Sequence, residues 1–146
     1  MIRAIFKCER GNSFIELAFV APLLVMLLLG MVDISRAVSA KLQVVQLSQR
    51  TIERVQRSGF KYTDLATLKS EAETAGGTGT QATATAWLEC GSSTAHLPFT
   101  NTCSGTQPYA RFVAVTVSKP FSPVFVPEYF TSGTIRFQGE SGVRIQ

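Results

Sequence analysis

From Phe14 to Val32 the chain has a single charged side chain, Glu16, in an otherwise apolar run. The run is about 19 positions long, close to the roughly 20 that span a hydrocarbon core, so its pattern predicts a membrane-crossing helix. Ile34 to Ser58 contains no glycine or proline. At helical spacing Ile34, Val38, Leu42, Val45, Ile52 and Val55 fall in one sector, with Arg36, Arg50, Arg54 and Arg57 opposite, which predicts an amphipathic continuation of the same helix. Lys41 intrudes on the apolar sector and Leu47 lies outside it. Read as one element, Phe14 to Ser58 makes a rod of roughly 65–70 Å at 1.5 Å per residue.

Beyond the rod the period changes. Gly59 is a C-cap signal, and Thr63 to Ala75 reads as a short helix with Thr63 at its N-cap and Asp64 in its first turn. Gly76 to Thr80 is a loop. Ala82, Ala84, Ala86, Leu88 and Cys90 alternate with Thr83, Thr85, Trp87 and Glu89, the signature of a strand with one apolar face. Phe112 to Ser118 predicts a second strand, and Thr134 to Gln138 with Val143 to Ile145 a closing hairpin or a bulged strand around Gly139 and Gly142. Three prolines between Lys119 and Phe130 argue against a central strand there, and the four aromatics of that stretch must be buried on the helix, the membrane surface or a neighbouring subunit. Packing on the helix is the simplest of these.

Pro22 stands inside the apolar run, where it removes an amide donor and crowds the carbonyl of Ala18, so a kink or local unwinding is expected there. Ala18, Ala21 and Gly30 are small enough to let another helix approach. Glu16 is the costlier residue. A carboxylate at bilayer depth costs on the order of 3 kcal/mol, which makes it a functional candidate that needs a partner.

Charge and composition narrow the rest. The net charge is +4 and the pI about 9.2, but the arginines are scattered and no aromatic-laced basic cluster forms, which argues against nucleic-acid binding. The glycine-rich loop lacks the Gly-Lys-Ser/Thr ending of a phosphate loop. His96 is the only histidine and has no motif partner for a triad, while Glu71 and Glu73 read as a solvated helix face. No cofactor, metal or catalytic group is implied, so the chain does not read as an enzyme. Cys90 and Cys103, in a Ser/Thr/Gly-rich region, are either a disulfide formed in an oxidising compartment or two buried thiols; the bridge is the reading that orients the chain, with its C-terminal part outside the cytoplasm. Cys8 falls in the N-terminal segment. Basic residues flank the apolar run on both sides, Arg3, Lys7 and Arg10 before it and Arg36, Lys41 and Arg50 after it, so charge alone does not set the orientation.

The junction before the helix, Arg10-Gly11-Asn12-Ser13-Phe14-Ile15-Glu16, resembles a type IV prepilin signal, in which a short basic leader ends in glycine and glutamate is the fifth mature residue. Arg10 to Leu24, with Gly30-Met31-Val32-Asp33-Ile34-Ser35-Arg36-Ala37 following, is similar to the TadE-like family of minor pseudopilins from tight-adherence pilus systems. Val113 to Pro123 and the closing strand are weaker echoes of the same family. The resemblance implies a pilin-like α+β fold, with a long N-terminal helix and a small antiparallel sheet on its outer half. It divides the chain into a leader over 1–11, a membrane helix over 12–32, an amphipathic extension over 33–58 and a periplasmic domain over 59–146.

The resemblance also implies hydrolysis of the Gly11–Asn12 bond by a prepilin peptidase, leaving Asn12 as a new amino terminus about one turn from Glu16. Glu16 and Pro22 become the candidate subunit-assembly residues. The implied location is the bacterial inner membrane, with the N-terminus cytoplasmic. The implied partners are the peptidase, other pilins and pseudopilins, and an inner-membrane assembly platform. A second reading is an exported soluble binding domain, because Val38-Ser39-Ala40 has the small-residue pattern of a signal peptidase site and a cut near Ala40 would release it. Asp33 and Arg36 in the proposed cleavage region, and the long apolar core, argue against that reading.

Overall fold

The computed structural model describes residues 9–125 and 134–145, with side chains from Phe14 onward. The segment before Glu9, including Cys8, and the stretch from Val126 to Phe130 lie outside the described residues. Helix α1 (Glu9–Ser58) is continuous through Pro22. It stops where Gly59 takes φ 74°, a left-handed value that a side chain would strain. A 3-10 turn (Tyr62–Asp64) leads into α2 (Leu65–Gly76). The carboxylate of Asp64, rather than Thr63, secures this entry, accepting the Lys61 amide at 2.9 Å.

Four strands follow: β1 (Gln81–Cys90), β2 (Leu97–Pro98), β3 (Tyr109–Phe121) and β4 (Ile135–Arg144). They form one sheet in the order β2-β1-β3-β4. Every pairing is antiparallel, with Ala82 opposite Val117 and Val115 opposite Ser141. The architecture is α+β: a long apolar N-terminal helix and a small antiparallel sheet laid against its outer half.

Alternation on β3 decides the core. Val113, Val115 and Val117 point to the same face and are fully buried. They meet Val44, Ile52 and Val55 of α1 and Leu68 and Ala72 of α2. Each such side chain contributes about 1.5–3 kcal/mol on leaving water. Lys119 reaches from β3 to the last turn of α2, donating to the Gly76 carbonyl at 2.9 Å, where a cation complements the helix dipole.

Three sequence expectations change. First, β4 is neither a hairpin nor bulged: its register against β3 is regular across Gly139 and Gly142. Gly139 is required for a different reason. A Cβ there would stand 2.8 Å from the backbone of Val44 and Val45, so its absence lets α1 lie directly on the strand. Second, Pro120 sits inside the central strand, paired opposite Arg136. The β1 pairing ends at Gln81 opposite Ser118, so β3 is an edge on that side by the time it reaches Pro120, where a missing amide is tolerated. Third, Leu97 and Pro98 add a short edge strand that the polar loop did not announce.

Candidate assembly surface

Among the described residues, none buries any part of the inner half of α1. From Phe14 to Val32 no residue is buried, and Phe14, Phe19, Leu23, Met26, Leu28 and Met31 present most of their side chains outward. The helix is long and apolar enough to cross a membrane. Glu16 projects from this same surface, and among the described residues it has no hydrogen bond or ion pair. Pro22 lies between Ala21 and Leu23 without ending the helix. Gly11 and Asn12 belong to the first turns of α1 by backbone, and their side chains lie outside the described part.

The outer half meets the sheet along a different stripe from the one that hydrophobicity marks. Asp33, Val44, Ser48, Thr51, Ile52 and Val55 are buried, and Ala37, Ala40 and Leu47 are half-buried. Ile34, Val38 and Leu42, expected on the packed face, are exposed instead. The docked stripe is rotated by about one residue, close to 100° on a helix, over the first three turns of this half. Small residues make the difference: Ala37, Ala40 and Ser48 let the sheet approach, and the Ser48 and Thr51 hydroxyls are satisfied by the helix's own carbonyls of Val45 and Leu47 at 2.8 and 2.9 Å. Lys41, the apparent intruder, donates to the Gln138 carbonyl of β4. Exposed Ile34, Val38 and Leu42 therefore prolong the uncovered apolar surface past Val32.

Asp33 marks the boundary between the two halves and is only 5% exposed. Its Oδ1 accepts the Val124 amide at 2.9 Å and its Oδ2 the Phe125 amide at 2.8 Å. Arg36, one turn on, places Nη1 3.5 Å from Oδ1, and its guanidinium lies 5.9 Å from the centre of the Phe121 ring. Phe121 in turn packs on Phe137 at 5.3 Å. Within the described residues, the proline-rich segment is thus held on the helix by a carboxylate. Sequence reasoning gave Asp33 no such role. The available signal was its position, an acid at the end of an apolar run where an unpartnered charge is costly.

At the opposite end of the sheet Cys90 and Cys103 are bonded, with Cα atoms 5.7 Å apart. The bridge closes the loop that carries β2. His96 is exposed, stacks on Trp87 at 4.5 Å and stands 3.6 Å from Glu89, which also accepts the Trp87 indole N–H at 2.8 Å. This cluster has no nucleophile and reads as a surface brace. Glu71 and Glu73 do more than face solvent: Glu71 pairs with Arg54 across the two helices, and Glu73 accepts the Ala82 amide at the start of β1 at 3.2 Å. Among the described residues no group of histidines, cysteines and carboxylates is arranged to hold a metal.

A helix whose apolar half is mostly exposed among the described residues, joined to a small sheet domain by its other half, is compatible with a single-pass membrane anchor. Residues 11–51 match the family model described as TadE-like protein. This segment, which takes in Glu16, Pro22, Asp33 and most of the docked stripe, is similar to that family. The sheet domain lies outside the match. No curated protein and no solved structure matches the chain.

Proposed function

We propose that this protein is a minor pseudopilin of a tight-adherence pilus system, anchored by α1 and taking part in initiating or capping pilus assembly. One observation carries the reading: a membrane-length apolar surface left exposed by the described residues, bearing a carboxylate that has no partner among them, in a TadE-like segment. The role is structural. The N-terminus lies in the cytoplasm and the disulfide-bearing sheet domain in the periplasm, where oxidising conditions allow the bridge. The leader covers 1–11 and the membrane segment 12–32, with 33–58 and 59–146 forming the periplasmic part.

Processing between Gly11 and Asn12 by a prepilin peptidase creates the group that Glu16 lacks. The new amine lies about 6 Å along the axis from Glu16 in its own helix, and in a bundle it reaches the Glu16 position of a neighbouring pilin. Pairing the two removes the cost of each charge at the bilayer edge. Glycine before the scissile bond suits this site, because it lowers helix stability by about 1 kcal/mol relative to alanine and eases unwinding into a peptidase cleft. Other pilins and the inner-membrane platform are the partners for the apolar surface.

Release after Ala40 fits less well. Such a cut would remove Asp33, which holds the Val124 and Phe125 amides, and would split the docked stripe between Ala40 and Val44. Intact mass and N-terminal sequencing of the mature protein test the proposal. A chain starting at Asn12 is expected, and a soluble one starting at Lys41 would refute it.

A further inference from the structure

We infer that the segment Phe121–Phe125, clamped by Asp33, is a second lipid contact: the sheet domain sits down on the bilayer surface through this segment, besides being tethered by α1. The inference rests on the membrane-anchor reading of α1 and adds a surface to it.

Height along the helix is the first argument. Asp33 follows directly on the last residue of the apolar run, so it lies at the level where hydrocarbon gives way to headgroups. Both of its oxygens hold backbone amides of Val124 and Phe125, which brings those residues to the same level. Chemistry is the second. With their amides satisfied, these residues turn apolar side chains outward: Val124 is 60% and Phe125 44% exposed. Burying them at an acyl boundary is favourable, and no polar backbone group of theirs that Asp33 holds is lost to lipid.

Arg36 supplies the third. Its side chain is 47% exposed beside Phe121 and Asp33, placed to extend a guanidinium toward lipid phosphates while its stem stays on apolar surface. An arginine with its stem on aromatic and aliphatic side chains suits an interfacial contact, where the apolar groups enter the acyl boundary and the cation stays among headgroups. Through Asp33 the segment is continuous with the membrane-length apolar surface of α1 at the point where the helix leaves the bilayer, so lipid is the contact already at hand. The lipid is therefore the occupant.

The test uses the full chain reconstituted in phosphatidylcholine–phosphatidylglycerol vesicles, with Trp87→Phe as background and single tryptophans at Phe125→Trp or Leu24→Trp. Lipids brominated near the glycerol should quench the Phe125→Trp emission about twofold, and lipids brominated deep in the chains should leave it nearly unchanged. The Leu24→Trp probe should show the reverse. Adding Asp33→Ala to the Phe125→Trp protein should abolish its quenching while the Leu24→Trp protein with the same change is unaffected. Deep quenching at Leu24→Trp with no shallow quenching at Phe125→Trp would overturn the lipid contact and leave the anchor standing. Absence of both would overturn the anchor and this inference with it. Shielding of Phe125→Trp from aqueous iodide only when other pilin-like subunits are co-reconstituted would assign the segment to a protein neighbour and refute the lipid contact.

Discussion

Gly139→Ala should loosen the joint between rod and sheet. The added Cβ would stand 2.8 Å from the carbonyl carbon and oxygen of Val44 and from the Cα of Val45, against the 3.4–4 Å of ordinary contact. These are backbone atoms of a continuous helix, so no side chain can swing away. Either α1 lifts by several tenths of an ångström or β4 bends. Lifting α1 separates Val44, Ile52 and Val55 from the fully buried Val113, Val115 and Val117. Overpacking of this kind costs about 1–3 kcal/mol, and the reduced freedom of the unfolded chain offsets about 0.4–1 kcal/mol, leaving a net loss of about 1–2 kcal/mol. For a domain near 100 residues this lowers Tm by roughly 5–15 °C. Gly142→Ala is the control, on the same strand with its nearest neighbour, the Val113 carbonyl, at 3.4 Å. With room for the methyl group and the same reduced freedom of the unfolded chain, it should melt at the parent temperature or up to about 8 °C above it. Thermal unfolding in detergent micelles, followed by Trp87 fluorescence with the disulfide intact, reads both. Equal melting of the two variants would show that close approach of α1 is not what Gly139 provides.

Three further outcomes are expected. Glu16→Leu should insert and form its disulfide normally yet fail to co-purify with other pilin-like subunits and support few pili, with Glu16→Gln intermediate; wild-type pili in the leucine variant would make Glu16 incidental. Gly11→Ala should leave most of the precursor uncut on immunoblots, because the residue before the scissile bond enters a narrow peptidase site. Reducing the Cys90–Cys103 bridge should lower stability by about 3 kcal/mol in the chain-entropy model for a loop of this size. Denaturant midpoints with and without reductant check this, and two reactive thiols in the unreduced, unfolded protein would show that the bridge does not form.

Local pattern was enough for the backbone of most elements. The rod was legible because nothing between Ile34 and Ser58 breaks a helix and Gly59 does. The first strand was legible because alanines and threonines alternate from Ala82 onward, and β3 because its valines do. The apolar half of α1 was legible because Glu16 is the single charged residue between Phe14 and Val32. What pattern could not reveal is which surface another element would choose. Ile34, Val38 and Leu42 are the hydrophobic side of their turns, yet the sheet docks beside them on Asp33, Ala37, Ala40 and Val44. Docking is decided by how closely two backbones can come, and here Gly139, far along the chain, sets that distance together with the small helix residues.

The same limit explains the other surprises. Pro120 reads as a strand breaker because a central strand needs amides on both sides, but only the pairing register reveals that β1 has ended before Pro120. Asp33 reads as an acid after a membrane helix, and its role appears only once Val124 and Phe125, distant in sequence, arrive with two amides to satisfy it. Periodicity records what each residue prefers next to its neighbours. Register, close approach and long-range hydrogen bonds depend on pairs of segments that no local window contains, and only the tertiary structure decided them.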